Sequence, residues 1–203
     1  MIQECAKPLA ESPQRLWFGE NPRQGIAVEA FGAYQLRALP VMADAPKYVL
    51  PVQVIGPRSF VLFAVWTLGK QTYPYVEAAA RAVDLYRSVI AESPTVFVGD
   101  FNSNTIWDAT HPRDLNHSSL VARLSSLGLV SAYHHARGET HGRESEATYY
   151  FHWKQERPYH IDYCFLPTAW ANRITRVEIG AFEQWRPYSD HRPLLVEVAE
   201  SVV

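Results

Sequence analysis

With 203 residues, this chain is long enough for one domain with a substantial core and short for two. Its formal charge of −2 excludes a whole-protein attraction to a polyanion, so any nucleic-acid contact has to come from a local basic patch. Two cysteines, Cys5 and Cys164, stand far apart in no CxxC pattern, which argues against a structural zinc site and lends no support to a disulfide.

Strand-like runs come first in chain order. "GIAVEAF" (25–31), "YQLRALP" (34–40), "YVLPVQVIG" (48–56) and "SFVLFAVWTL" (59–68) follow one another, and "GPRS" between the last two predicts a tight hairpin connection. The period then changes. Across 73–93, Val76, Ala79, Ala80, Val83, Tyr86, Val89 and Ile90 recur at helical spacing, with Pro74 suited to the first turn and Pro94 to the end. "TVFVG" (95–99) reads as a buried strand, and 118–129 as a second helix stopped by Gly128. Strands return at 147–153, 159–167, 174–182 and 192–200. Consecutive strands with singly inserted helices predict an α+β sandwich, not a doubly wound parallel sheet.

No segment approaches the ~20 apolar residues of a membrane span. "MIQECAKPLA" has neither the basic start nor the apolar core of a signal peptide, so the expected location is the reduced cytoplasm.

Several apolar runs end on acidic or amide residues. "TVFVGDFN" delivers Asp100 and Asn102, "YHIDYCF" sets Asp162 inside a strand, "YSDHRPLLVEV" places Asp190 and His191 before one, and "IQE" places Glu4 near the start. Phosphate-ester hydrolysis needs a cation, an aimed water and donors for the non-bridging oxygens. Glu4 and Asp190 are oxygen ligands suited to Mg²⁺ or Mn²⁺. Asp162 suits the task of fixing the His191 imidazole. Asp100 is placed to orient or deprotonate water, and Asn102 to donate to the phosphate.

"IQE", "GDFN", "HIDY" and "SDHRPL", in this order, resemble the endonuclease/exonuclease/phosphatase superfamily, and the resemblance runs from residue 2 to about residue 200. It implies a deoxyribonuclease I-like fold, two β-sheets face to face in a four-layered α/β/β/α sandwich, as a single catalytic domain. It implies that Glu4 and Asp190 bind the metal, that Asp100 and Asn102 handle water and scissile phosphate, and that Asp162 supports a catalytic His191.

Three departures stand beside it. The family's usual first strand, with its Asn ligand, is not present upstream of Gln3, which leaves a sheet edge that a two-fold homodimer would cover. Trp66 replaces a residue that reaches the phosphate in relatives, with Tyr73 or Tyr75 as substitutes. His160 stands where nucleases of the family often have Arg.

Trp107, in the 104–117 loop, and Trp185 are candidates for substrate stacking. "HHARGETHGR" (134–143) has loop composition and no regular ligand spacing. It reads as a mobile surface loop or lid carrying Arg137 and Arg143.

The function expected is a divalent-metal-dependent phosphodiester hydrolase, foremost a nuclease acting on DNA, including abasic or structured DNA. The alternatives are a phosphatase or phosphodiesterase of a small or lipid phosphoester, and a catalytically weakened phosphate- or nucleic-acid-binding protein.

Overall fold

The runs 48–56 and 59–68 are apolar at nearly every position, which suits strands covered on both faces. A computed structural model, describing residues 1–10 and 12–200, bears this out. The fold is α+β, and the chain divides into two units, Met1–Asn102 and Ser103–Val203.

The first unit contains β1 (Ile2–Cys5), β2 (Arg15–Asn21), β3 (Gln24–Glu29), β4 (Gln35–Ala38), β5 (Val49–Ile55), β6 (Phe60–Trp66) and β7 (Thr95–Asp100), with α1 (Val76–Leu85) and α2 (Arg87–Glu92) between the last two strands. Strands β1, β3 and β2 form one antiparallel sheet in that order. In the other, β4, β5 and β6 are antiparallel, and β7 joins β6 in parallel from Val61↔Thr95 to Trp66↔Asp100. The helical crossover supplies the length that a parallel pair needs.

Ile26 and Val28 from one sheet meet Leu36, Leu50, Val52, Val54, Ala64 and Trp66 from the other in one buried cluster. The opposite side of β6 and β7 is also covered, with Phe63 stacked on Phe97 at 4.3 Å and Tyr86 edge-on to Phe63 at 5.2 Å.

Two readings of this unit need correction. The helix expected over 73–93 is interrupted at Tyr86, which caps α1 and begins α2. Tyr86 is buried against Phe63, and its hydroxyl accepts from the Met42 backbone N–H at 3.1 Å, so tertiary anchoring displaces it from helical geometry. Pro74 lies outside the helix, because Tyr75 is the N-cap. Strand β2 escaped the sequence pattern since none of its residues is fully buried and no clean alternation results.

The second unit contains α3 (His117–Ser126), β8 (Leu129–Ser131), α4 (Ala132–Arg137), β9 (Tyr149–Tyr150), β10 (Pro158–Tyr159), β11 (Asp162–Pro167), α5 (Thr168–Ala171), β12 (Ile174–Ile179), α6 (Phe182–Trp185) and β13 (Leu194–Val198). Strands β8 and β11, β9 and β10, and β12 and β13 each pair antiparallel. Helix α3 is opened by a capping box between Asn116 and Ser119, not among the sequence expectations, and is followed by Gly128 at φ 75°, the stop the sequence predicted.

The strand expected over 147–153 is only two residues long. His152 and Trp153 turn at φ 54° and 62° within a 3₁₀ turn, so the aromatic run does not continue the ladder. The run 159–167 is also broken, at His160 and Ile161. Among the described residues, no helix is long and apolar enough to cross a membrane. Both cysteines are free, and burial pushes the Cys164 thiol up to about 12.

Gly99 shows how closely β6 and β7 approach. It sits at φ 134°, and a Cβ there would lie 2.1 Å from the Val65 carbonyl oxygen and 2.0 Å from Met1 Cε. Gly99→Ala is therefore expected to cost about 3 kcal/mol, from backbone strain plus overpacking. Urea unfolding checks this; a loss within a few tenths of a kcal/mol would show that the strand relaxes freely.

Candidate active site

Strand β7 ends in a tight polar turn. Asp100 is only 2 % exposed, and a carboxylate at that depth needs hydrogen-bond donors. Asn102 supplies two, its backbone N–H to Oδ1 at 2.8 Å and its Nδ2 to Oδ2 at 2.7 Å. The turn requires a left-handed Asn102, φ 46°, a conformation that Asn tolerates better than most side chains. Thr67, fully buried, completes the frame. Its N–H donates to the Asp100 carbonyl at 3.0 Å, its hydroxyl to the Phe101 carbonyl at 2.6 Å, and its own carbonyl accepts from Asn102 Nδ2 at 2.9 Å. Gly-Asp-Phe-Asn is thus a locked turn aiming an acceptor group.

In the second unit, Asp162 and His191 are brought together from 29 residues apart. His191 Nδ1 lies 2.9 Å from Asp162 Oδ2, and both side chains are largely buried. Such a pair selects one imidazole orientation and stabilises the charged form. Two residues hold the pair's backbone. Thr148, fully buried, accepts at Oγ1 from the N–H groups of Ile161 and Asp162, each at 3.0 Å, and its carbonyl accepts from Arg192 N at 2.7 Å. Arg192 Cζ lies 4.8 Å from the ring centroids of Tyr150 and Phe182, which adjoin each other at 4.5 Å, and its Nη1 donates to the Ser189 and His191 carbonyls at 2.8 and 2.7 Å. Desolvation lowers the Arg192 pKa from its ordinary value. The arginine staples the Ser189–Arg192 turn that carries Asp190 and His191.

The remaining sequence candidates fall into three groups. Glu4 belongs to the first unit and Asp190 to the second. Glu4 is exposed at φ 55° on an irregular part of β1, Asp190 is half-buried, and neither carboxylate makes a side-chain hydrogen bond among the described residues. Tyr73, Trp107 and Trp185 are half-buried, with Arg81 Cζ 4.2 Å over the Tyr73 ring and Trp107 5.2 Å from the Tyr159 ring, so each keeps some accessible surface.

Trp66 and His160 require correction. Trp66 is 2 % exposed within the sheet-to-sheet core, 5.0 Å from the Tyr48 ring, because its side of β6 faces the other sheet. His160 is 4 % exposed, its Nδ1 2.8 Å from the Glu146 carbonyl, and its ring lies against Tyr133 and Tyr163. Neither presents a surface to substrate.

The segment 134–143 also departs from expectation. It is not a bare surface loop: His134 is buried, and His141 and Glu144 are half-buried beside it. Burial lowers His141 to about 3 and His117 to about 4, while hydrogen bonds from His134 and Gly142 overcome desolvation to hold Glu144 at about 2. Sequence reasoning also missed Thr67, Thr148 and Arg192. Of these, only Arg192 carried a signal, as a charged residue heading an apolar run.

No protein-family model matches the sequence, and no curated protein matches it. Solved structures do. An AP endonuclease from Archaeoglobus fulgidus matches with a TM-score of 0.61 at 15% identity, over 91% of this chain and 78% of that one. A 3′ phosphatase, NExo, from Neisseria, bound to a product DNA hairpin, matches with a TM-score of 0.60 at 16% identity, over 92% and 79%. The endonuclease domain of TRAS1, a telomere-specific non-LTR retrotransposon, matches with a TM-score of 0.58 at 13% identity, over 86% and 71%. At these identities the likeness is one of fold, and the chain shares the α+β architecture of these nuclease and phosphatase structures.

Thr148→Val keeps the shape but strips the acceptor from two buried N–H groups. The expected loss is about 2–4 kcal/mol by urea unfolding, with Thr148→Ser restoring most of it. A Val variant as stable as the parent would remove Thr148 from the frame of the Asp162–His191 pair.

Proposed function

We propose that this protein is a divalent-metal-dependent phosphodiester hydrolase acting on nucleic acid, with DNA as its substrate. The observation that carries the reading is the Asp162–His191 hydrogen bond of 2.9 Å, a carboxylate-oriented imidazole formed by two motifs far apart in sequence. The locked Gly-Asp-Phe-Asn turn supports it. So does the fold shared with enzymes whose names include an AP endonuclease and a DNA-bound 3′ phosphatase.

In the proposed reaction Asp100 accepts a proton from water as the water oxygen bonds to phosphorus. The bond to the leaving oxygen then breaks in line with the attack, that oxygen takes a proton from solvent water, and Asp100 returns its own proton to solvent. His191, held through Nδ1, directs Nε2 at the phosphoryl oxygens, where an imidazolium stabilises the developing charge. Asn102 joins by exchanging its hydrogen bond to the Thr67 carbonyl for one to a phosphate oxygen. Glu4 and Asp190 supply oxygen ligands to Mg²⁺ or Mn²⁺, which when bound neutralises charge on the phosphoryl group. Tyr73, Trp107 and Trp185 offer ring faces to bases or sugars.

Hydrolysis is measured on supercoiled plasmid, abasic duplex, single-stranded DNA, RNA and a small phosphodiester, with Mg²⁺ or Mn²⁺ and with EDTA. Turnover on DNA should vanish with EDTA, and kcat should drop by about 10²–10⁴-fold in Asp100→Ala, Asp162→Asn and His191→Ala. EDTA-resistant cleavage, or variants as active as the parent, would overturn the assignment. Preference for the small phosphodiester would leave the hydrolase and remove the nucleic-acid substrate.

A further inference from the structure

Four histidines of the second unit gather around one glutamate, none of these five residues being assigned to phosphate chemistry above. His134, His141 and Glu144 each offer a ligand atom within 4.8 Å of the others. Each is held from behind. Ser131 Oγ lies 2.7 Å from His134 Nδ1, and His117 Nε2 lies 3.0 Å from His141 Nδ1, with Ser103 Oγ in turn 2.9 Å from His117 Nδ1. These contacts leave Nε2 of both His134 and His141 as the ligating nitrogens, and such outer partners are what orient metal-bound imidazoles. Glu144 accepts at Oε1 from His134 Nε2 at 3.0 Å, Gly142 N at 2.9 Å and Asn104 Nδ2 at 3.0 Å. The Gly142 contact needs its φ of 87°, and a Cβ there would meet Thr105 Oγ1 at 2.3 Å.

Two features are poorly served by protein contacts alone. The rings of His134 and His141 stack at 3.5 Å with planes 14° apart, an arrangement that holds two nitrogen donors side by side. His160, 4 % exposed with its ring 5.7 Å from that of His134, has a buried Nε2 with no hydrogen-bond partner among the described residues. A buried polar nitrogen without a partner marks a place where a ligand or ion is missing from the account.

We propose that His134, His141 and Glu144 bind a zinc-class transition-metal ion, with His160 beside the fourth position. Nitrogen and carboxylate ligands at about 2.0–2.1 Å are the chemistry of Zn²⁺, and side-chain shifts on the order of an ångström close the set. On binding, the His134 proton moves from Nε2 to Nδ1, and Ser131 Oγ changes from donor to acceptor. Mg²⁺, which demands oxygen ligands, is excluded. The ion's role is to brace. Asn104 Nδ2 reaches Glu144, the His160 carbonyl at 2.9 Å and Tyr163 Oη at 3.1 Å, so metal binding tightens the residues on both sides of Asp162. The inference does not depend on the hydrolase reading.

The test is calorimetric titration of the chelator-treated full chain with Zn²⁺, with Mg²⁺ as the control and Co²⁺ absorption as the coordination probe. One tightly held Zn²⁺ per chain, submicromolar affinity, a visible Co²⁺ band and no submicromolar Mg²⁺ binding are expected. His141→Gln and Glu144→Gln, checked for folding by circular dichroism, should each weaken Zn²⁺ binding on the order of 100-fold. His135→Ala, at an exposed neighbour, and His191→Ala, in the other cluster, should bind as the parent does. Failure to bind Zn²⁺ tighter than Mg²⁺ would overturn the site, and so would unchanged affinity in folded His141→Gln. Loss in His191→Ala with retention in His141→Gln would place the ion elsewhere and equally overturn it.

Discussion

Burying a carboxylate costs several kcal/mol unless donors or a counter-charge meet it, and this protein buries two at points where apolar strands meet polar turns. Asp100 survives because Asn102 folds back on it with two hydrogen bonds while Thr67 ties the turn to the end of β6. Asp162 lies against His191 and is held in place by Thr148. Each carboxylate has a fixed direction as a result. The surrounding structure, from the left-handed Asn102 to the glycine that lets β7 press against β6, serves to keep that direction.

The second unit shows the same economy in its positive groups. Arg192 is buried against the adjoining rings of Tyr150 and Phe182 and spends Nη1 on carbonyls of the turn that carries Asp190 and His191. A guanidinium suits this place because its charge rests over aromatic rings while its edges donate in fixed directions. The turn is therefore shaped by packing underneath it, and the residues proposed for chemistry rest on a rigid support.

The histidine cluster has a different character. Burial lowers His117 to about 4 and His141 to about 3, while Glu144 is held in its charged form. Neutral nitrogens around an anion make a ligand set, not a proton relay. The connection through Asn104 to His160 and Tyr163 links this knot to the strand bearing Asp162. Catalytic and bracing functions would then share a framework without sharing a residue.

Much of this was legible in the sequence. Continuous apolar runs at 48–56 and 59–68, the helical period after 76, and polar strand ends at Asp100, Asp162 and His191 follow from local patterning and from the order of four motifs. The reason is that strand period and turn chemistry are properties of neighbouring residues. What the pattern could not decide was which polar or aromatic residue would be covered. Trp66 and His160 occupy motif positions yet lie in the core, and the loop-like "HHARGETHGR" folds its histidines inward. Thr148 had no spacing to betray it, since the N–H groups it accepts from lie 13 and 14 residues on. By itself the sequence determined the α+β architecture and the identity of the polar strand ends. Only the tertiary structure decided which side chains face each other, because burial and hydrogen-bond geometry depend on residues that meet in space, at separations no local period records.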